Sequence, residues 1–349
     1  MTSIQSVTGP VDSADLGVCL PHEHIINDVR SWWQASNQIG IDSKEFASKP
    51  VTTDILWELR LDPFSNLDNC QMNNAVVAEE ELLMFKTLGG VSVLEATSVS
   101  IGRNLPALRD ISLATGLTVI AGTGFYLDSS QPDDIKSKGV DEIAQLLLDD
   151  LADGEEGVRP GFIGEIGVSA DFTPAERRSL EAASVVQAQT GLPMQVHLPG
   201  WFRLGHQVLD VVEARGVDPR AVVLCHMGPS GSDQSYQQEL AKRGAFIQYD
   251  MVGMELFYAD QGFQCPSDEE NARYIMELCN AGFAEHVLVS QDIFLKSLWR
   301  RFGGPGYGHI LQYFVPRLRR HGASDDLIES LMVANPRRLF EQAKEIHND

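Results

Sequence analysis

Two kinds of segment alternate along this chain. Short runs of near-continuous apolar residues occur at 16–25, 91–97, 117–126, 161–168, 193–198, 221–226, 245–250 and 286–292. Between and after them lie longer segments whose apolar positions recur every three or four residues, at 73–88, 104–115, 140–151, 174–190, 205–215, 233–243, 267–281, 308–321 and 324–332. The first pattern predicts strands buried on both faces, the second amphipathic helices. Local signals agree: Gly89-Gly90 ends the first helix, and Thr173 with Pro174 supplies an N-cap and a first helical position. Buried strands separated by helices make a parallel sheet. Eight such units predict an α/β fold of the (β/α)8 TIM-barrel type, with 1–349 as one domain and long loops at its C-terminal face. The stretch 26–70, which holds Trp32, Trp33 and Trp57, breaks the rhythm and reads as a long loop with short helices. Loops this long are functional or disordered, and the tryptophans argue against disorder. No Gly-x-Gly-x-x-Gly opens a helix and no Walker loop occurs, so nucleotide-binding readings lose their support.

In such a barrel the chemistry sits at the C-terminal ends of the strands. The first run ends in Pro21-His22-Glu23-His24. In a strand, residues two apart share a face, so His22 and His24 point together and Glu23 points away. The other strand ends carry Glu165, His197, His226 and Asp292. Each alone has an ordinary explanation as a core histidine, a turn residue or a helix cap. Together at one rim they point to metal. Six ligands exceed the four of a typical zinc site and suit two divalent metals about 3.5–4 Å apart. His22, His24 and Asp292 are assigned to the first metal and His197 and His226 to the second, with Glu165 bridging. Zinc is the expected metal. A metal-bridging hydroxide, available because metals bring the pKa of water from 15.7 to about 7, would be the nucleophile. Asp292 would also take its proton as general base.

Composition narrows the partners. The chain of 349 residues has a formal net charge of −22. That balance argues against nucleic acid and anionic membrane surfaces and leaves a small-molecule substrate, with a homodimer as the assembly to test for. The five cysteines are widely spaced without a C-x-x-C, which fits reduced thiols and a cytoplasmic location. No leader-like N-terminal block is seen, and no apolar run approaches the roughly 18 residues of a membrane span.

A set of motifs gives a further expectation. Val7-Thr-Gly-Pro-Val, Leu16-Gly-Val-Cys-Leu-Pro-His22-Glu-His24-Ile, Gly122-Thr-Gly-Phe-Tyr126, Gly164-Glu165-Ile-Gly, Val196-His197, Cys225-His226, Tyr249-Asp250-Met-Val-Gly-Met-Glu255, Ser290-Gln-Asp292, Gly303-Gly-Pro-Gly-Tyr307-Gly-His309-Ile and Asn335-Pro336-Arg-Arg-Leu-Phe span nearly the whole chain. It resembles the phosphotriesterase family of the amidohydrolase superfamily, in its phosphotriesterase-related and lactonase-like branch. The resemblance implies a binuclear metallohydrolase with the ligand set above. Two positions depart from better-known members: Glu165 stands where they carry a carbamylated lysine, and Gln291 where many carry histidine. The expected reaction is hydrolysis of a lactone or carboxylic ester, with phosphotriester cleavage as a side activity. An amide hydrolase (N-acyl deacylase) using the same site and a non-catalytic ligand-binding barrel are the alternatives. Expected substrate contacts are Trp32 as an apolar wall, Tyr126 near the metals and Lys296 for an anionic group. Arg300 and Arg301 are expected to pair with surface acids, and His309 to be structural.

Overall fold

The eight apolar runs form eight parallel strands in a computed structural model that describes residues 2–348. They are β1 (Cys19–Glu23), β2 (Ser92–Glu95), β3 (Thr118–Thr123), β4 (Phe162–Ile166), β5 (Met194–Val196), β6 (Val222–Leu224), β7 (Phe246–Tyr249) and β8 (Val287–Val289). Each pairs in parallel with the next, so spatial order equals chain order from β1 to β8. The fold is the (β/α)8 barrel. The helices are α1 (Ala75–Thr87), α2 (Leu105–Thr115), α3 (Val140–Asp153), α4 (Pro174–Thr190), α5 (Gly205–Glu213), α6 (Gln234–Lys242), α7 (Asp268–Leu278) and α8 (Val315–Arg320). At the start of α4, Thr173 and Glu176 form a reciprocal capping box behind Pro174, as that sequence dictates. No described helix is long and apolar enough to cross a membrane.

Three elements escaped the periodicity. Ser3–Ser6 and Gly9–Asp12 form an antiparallel hairpin, too short for its alternation to stand out. Its Ile4 packs with Leu16, Leu94, Ile120 and Phe162, and the Val7 amide bonds the Val119 carbonyl at 2.9 Å. A last helix, α9 (Asn335–Asn348), follows directly on a π-helical turn at Ser330–Ala334 and runs past the predicted stop at 332. In the loop after β7, Phe257–Tyr258 and Phe263–Gln264 pair as a small hairpin. The 26–70 stretch is ordered around short helices, with Phe46, Val51, Ile55 and Leu59 as a satellite core. Asn27–Asp28 pairs with Gln71–Met72 to close its base.

Arg103, in the loop after β2, holds three pieces together. Its buried guanidinium donates to both oxygens of Asp150 at 2.7 Å, to Glu155 at 2.9 Å and to the Gly122 carbonyl at 3.0 Å. Removing one partner of a buried pair strands the others, at roughly 3–5 kcal/mol. Arg103→Ala is therefore expected to lower the urea midpoint and melting temperature sharply, whereas Arg301→Ala, at the exposed Glu80 pair, leaves both nearly unchanged.

Candidate metal centre

All six predicted ligands converge. His22 Nε2 lies 3.7 Å from Glu165 Oε1 and 3.5 Å from Asp292 Oδ1. His24 Nε2 lies 3.1 Å from the same Asp292 oxygen. From the other side, His197 Nδ1 and His226 Nε2 reach Glu165 Oε1 at 3.2 and 2.8 Å. Three overlapping triads result among the described residues, His22–His24–Asp292, His22–Glu165–His226 and, on the far side of His22, His22–Cys225–Asp250; the first two are built wholly from predicted ligands. Glu165, on β4, faces both halves. Its Cα neighbour Gly164 has φ +129°, and a side chain there would strike the Gln195 carbonyl at 2.6 Å, so only glycine lets β4 pass this close to β5.

Two of the six sit in left-handed backbone, His226 at φ 58° and Asp292 at φ 52°. Such conformations cost a non-glycine residue about 1–2 kcal/mol and persist where surroundings over-determine them. At His226 the fixing group is Asp250, just past β7, whose carboxylate accepts from the His226 amide at 3.0 Å and contacts its Nδ1 at 2.9 Å. At Asp292 it is Glu23. Pointing away from the two histidines that flank it, Glu23 accepts from Ser290 Oγ at 2.8 Å and from the Gln291 and Ile293 amides at 2.9 Å. These bonds, with the Asp292 amide donating to the His22 carbonyl at 3.4 Å, join β1 to the end of β8 and close the barrel. Burial pushes the Glu23 carboxyl up to about 8 despite its donors. Each of its oxygens accepts from an N–H or O–H of the β8 segment.

Behind the ligands, His22 Nδ1 meets Gln195 Oε1 at 3.0 Å, and His24 Nδ1 meets Thr97 Oγ1 at 2.9 Å, which donates to Glu95. Contacts at Nδ1 leave Nε2 free to bind metal. Asp250, Gln195, Thr97 and Glu95 went unassigned in the sequence; Asp250 ends the seventh strand and was findable by the strand-end reading that gave the ligands.

The charges point the same way. Burial opposes ionisation of Glu165, but His22, His197 and His226 hold its carboxyl well below the usual range. Asp292 is likewise depressed: burial is overcome by hydrogen bonds from His22 and His24 and by the charge of His226. Burial lowers His22, yet Glu165, Asp292 and Asp250 carry it up to about 9. His226 is also raised, with burial overcome by Asp250 and Glu165, while burial lowers His197. The carboxylates thus draw positive charge onto the histidines. His22 Nε2 is buried with no hydrogen-bond partner, between two acceptors. An orphaned imidazole nitrogen amid carboxylates fits a divalent metal.

The cluster lies on a cavity of about 470 Å³. Trp32 and Tyr126 line it, as expected; Trp32 stacks on Phe64 at 5.1 Å, and Tyr126 Oη lies 3.1 Å from His197 Nδ1. Lys296 is a correction. It is not among the lining residues; its ammonium pairs with Asp68, and its amide donates to the Asn69 carbonyl at 2.9 Å. It anchors the 26–70 stretch to the β8 loop, a tie between distant segments that sequence could not register. Gln291 is buried and bonds Gly306 and Ile310 backbone. Arg301 pairs with Glu80, while the Arg300 side chain meets Gln312 and its amide Glu81. His309 pairs with Asp268 at 2.7 Å.

A model of the phosphotriesterase family matches residues 2–340. This chain belongs to the phosphotriesterase family. A phosphotriesterase-related protein of Nematostella vectensis is 33% identical over 95% of this chain and 97% of its own. An N-acetyltaurine hydrolase of Tetraodon nigroviridis is 31% identical over 96% of each. Among solved structures, a resiniferatoxin-binding protein from Rhodobacter sphaeroides superposes with TM-score 0.94 at 47% identity, covering 97% of this chain and 95% of that one. As a phosphotriesterase-family barrel, the chain places its His, Glu and Asp cluster where a metal-dependent hydrolase needs one.

Metal must displace the proton of His22, so its affinity is expected to fall as pH drops below about 9, with proton release on loading measurable by calorimetry in buffers of different ionisation enthalpy. The sign reverses for stability of metal-stripped protein. A raised histidine stabilises fully below its unfolded pKa of about 6.5 and loses that contribution as pH rises through about 9. Melting of the stripped protein should therefore fall across this window, and that of the loaded protein should not. Glu23→Gln replaces one acceptor oxygen by an amide donor facing N–H or O–H groups. It is expected to fold by circular dichroism but to retain less metal after dialysis, read by elemental analysis.

Proposed function

We propose that this chain is a zinc-dependent hydrolase of carboxylic esters or lactones. The observation that carries the reading is a cluster of six ligand-type side chains, five of which (His24, Glu165, His197, His226 and Asp292) line one cavity, while the orphaned Nε2 of His22 lies just behind them, 3.7 Å from Glu165 and 3.5 Å from Asp292. His22, His24 and Asp292 would hold one metal and His197 and His226 the other, with Glu165 between. When bound, such metals supply Lewis-acid polarisation of the scissile group and activation of water. Asp292, held by the Glu23 clamp, is the group placed to accept and return a proton. The Tyr126 hydroxyl beside His197 is placed to orient a substrate oxygen. Trp32, Phe64 and Phe294 supply an apolar wall that excludes water around the reacting bond.

Asp292 could return its proton to an alkoxide or to an amine, so the ester reading rests on the apolar wall and the family's lactonase-like branch rather than on the proton donor. The N-acetyltaurine hydrolases among the relatives support the amide alternative. Their named substrate carries a sulfonate, however, and no lysine or arginine lines this cavity to receive one. The name of the Rhodobacter sphaeroides relative supports a ligand-binding alternative.

Zinc-loaded protein assayed against aryl esters, lactones, N-acyl amines and phosphotriesters separates these readings. Turnover highest on an ester or lactone, with Asp292→Asn lowering kcat by about 10²–10⁴, is expected. Fully loaded protein that turns over none of the panel, or prefers amides, overturns the proposal.

A further inference from the structure

The cavity's charge and aromatic content define a substrate class within that hydrolase reading, on which this inference rests. Four carboxylate side chains line it, Glu165, Asp171, Asp260 and Asp292, and no lysine or arginine does. Glu165 and Asp292 belong to the metal ligands. Asp260 does not. It lies between the strands of the Phe257–Tyr258 and Phe263–Gln264 hairpin, in the loop layer above the strand ends. Its only hydrogen bond from another loop comes from the neutral Gln34 amide, 3.4 Å from Oδ2. Oδ1 is buried without a partner. Asp233 pairs with Arg203 at 3.0 Å and Asp68 with Lys296; among the described residues Asp260 forms no ion pair. Asp62 stands close enough to feel its charge, and both carboxyls are raised, chiefly by burial. Asp260 thus brings an acidic group without a cationic partner to one part of the cavity wall.

Aromatic rings line the same cavity. Trp32 stacks on Phe64 at 5.1 Å, Phe64 meets Tyr258 at 5.0 Å, and Tyr258 meets Trp201 at 5.5 Å. Ring faces and a half-buried carboxylate on one cavity wall are features an organic ammonium binds well. A carboxylate, sulfonate or phosphate on the same part of a ligand would face Asp260 with no counter-charge, and desolvation without a partner is costly.

We propose that this cavity selects esters whose non-reacting portion carries a protonated amine, seated on the Trp32–Phe64–Tyr258 ring panel with Asp260 as the specificity-determining counter-ion.

The test uses zinc-loaded full-length protein and three aryl acetates that differ only at one ring position: aminomethyl, methyl and carboxylate. The aminomethyl ester is expected to exceed the methyl ester in kcat/KM by about tenfold, with the Asp260 counter-charge and the ring panel both contributing and the difference in KM. The carboxylate ester should fall well below both. The advantage of the amine should shrink with added salt, and Asp260→Asn should cut the amine-to-methyl ratio several-fold, to what the rings alone supply. The ratio is read within one protein preparation, so altered folding of the variant does not mimic the result. Binding of the matching aryl ketones, in which a methylene replaces the ester oxygen, is measured by calorimetry in parallel. Ketone binding that favours the amine, with no hydrolysis of any ester, sinks the hydrolase reading and leaves charge selection standing. Hydrolysis with equal kcat/KM across the three esters, or a ratio unchanged by Asp260→Asn, overturns charge selection and leaves the hydrolase.

Discussion

A cluster of carboxyl groups buried at the C-terminal mouth of the barrel is the constraint on which the rest of the structure depends. Glu23, Glu95, Glu165, Asp250 and Asp292 are all buried there. No lysine or arginine pairs with any of them among the described residues; the ion pairs of Glu165, Asp250 and Asp292 are all with histidines. A lone buried carboxylate would neutralise itself by taking up a proton. Here, neighbouring histidines hold Glu165 and Asp292 ionised and become more basic in return. That arrangement is poised for a stronger cation. Divalent metal satisfies the same carboxylates and frees the histidines to act as neutral ligands.

Holding such a cluster requires rigid backbone, and the fold supplies it by joining its first and last strands through the residue between the two histidines of β1. Glu23 turns away from the site yet fixes it, because the three donors it receives all belong to the segment that carries Asp292. Asp250 does the same for His226. Both ligands with left-handed backbone have a buried carboxylate holding their segment. Backbone strain and buried charge therefore stabilise one arrangement between them.

Much of this was legible in the sequence because barrel topology converts position along a strand into position in space. His22 and His24 share a face by strand geometry alone, and Glu165, His197, His226 and Asp292 follow from reading where apolar runs stop. What could not be read lies in contacts between loops. The Lys296–Asp68 pair joins segments more than two hundred residues apart, and nothing local distinguishes an anchoring lysine from a substrate-binding one. The N-terminal hairpin was missed because four-residue strands carry too little alternation, and α9 lay beyond the last periodic segment, which ends at 332. Asp260 had no local signal, since its meaning comes from the rings and the missing cation around it.

The central claim is that two metals occupy this cluster with Glu165 between them. Anomalous diffraction at the zinc edge on crystals of the zinc-loaded protein tests it most directly. The account predicts two peaks, one among His22, His24 and Asp292 and the other beside His197 and His226, with the Glu165 carboxylate touching both. A single peak, or two peaks with Glu165 bound to neither, would contradict it.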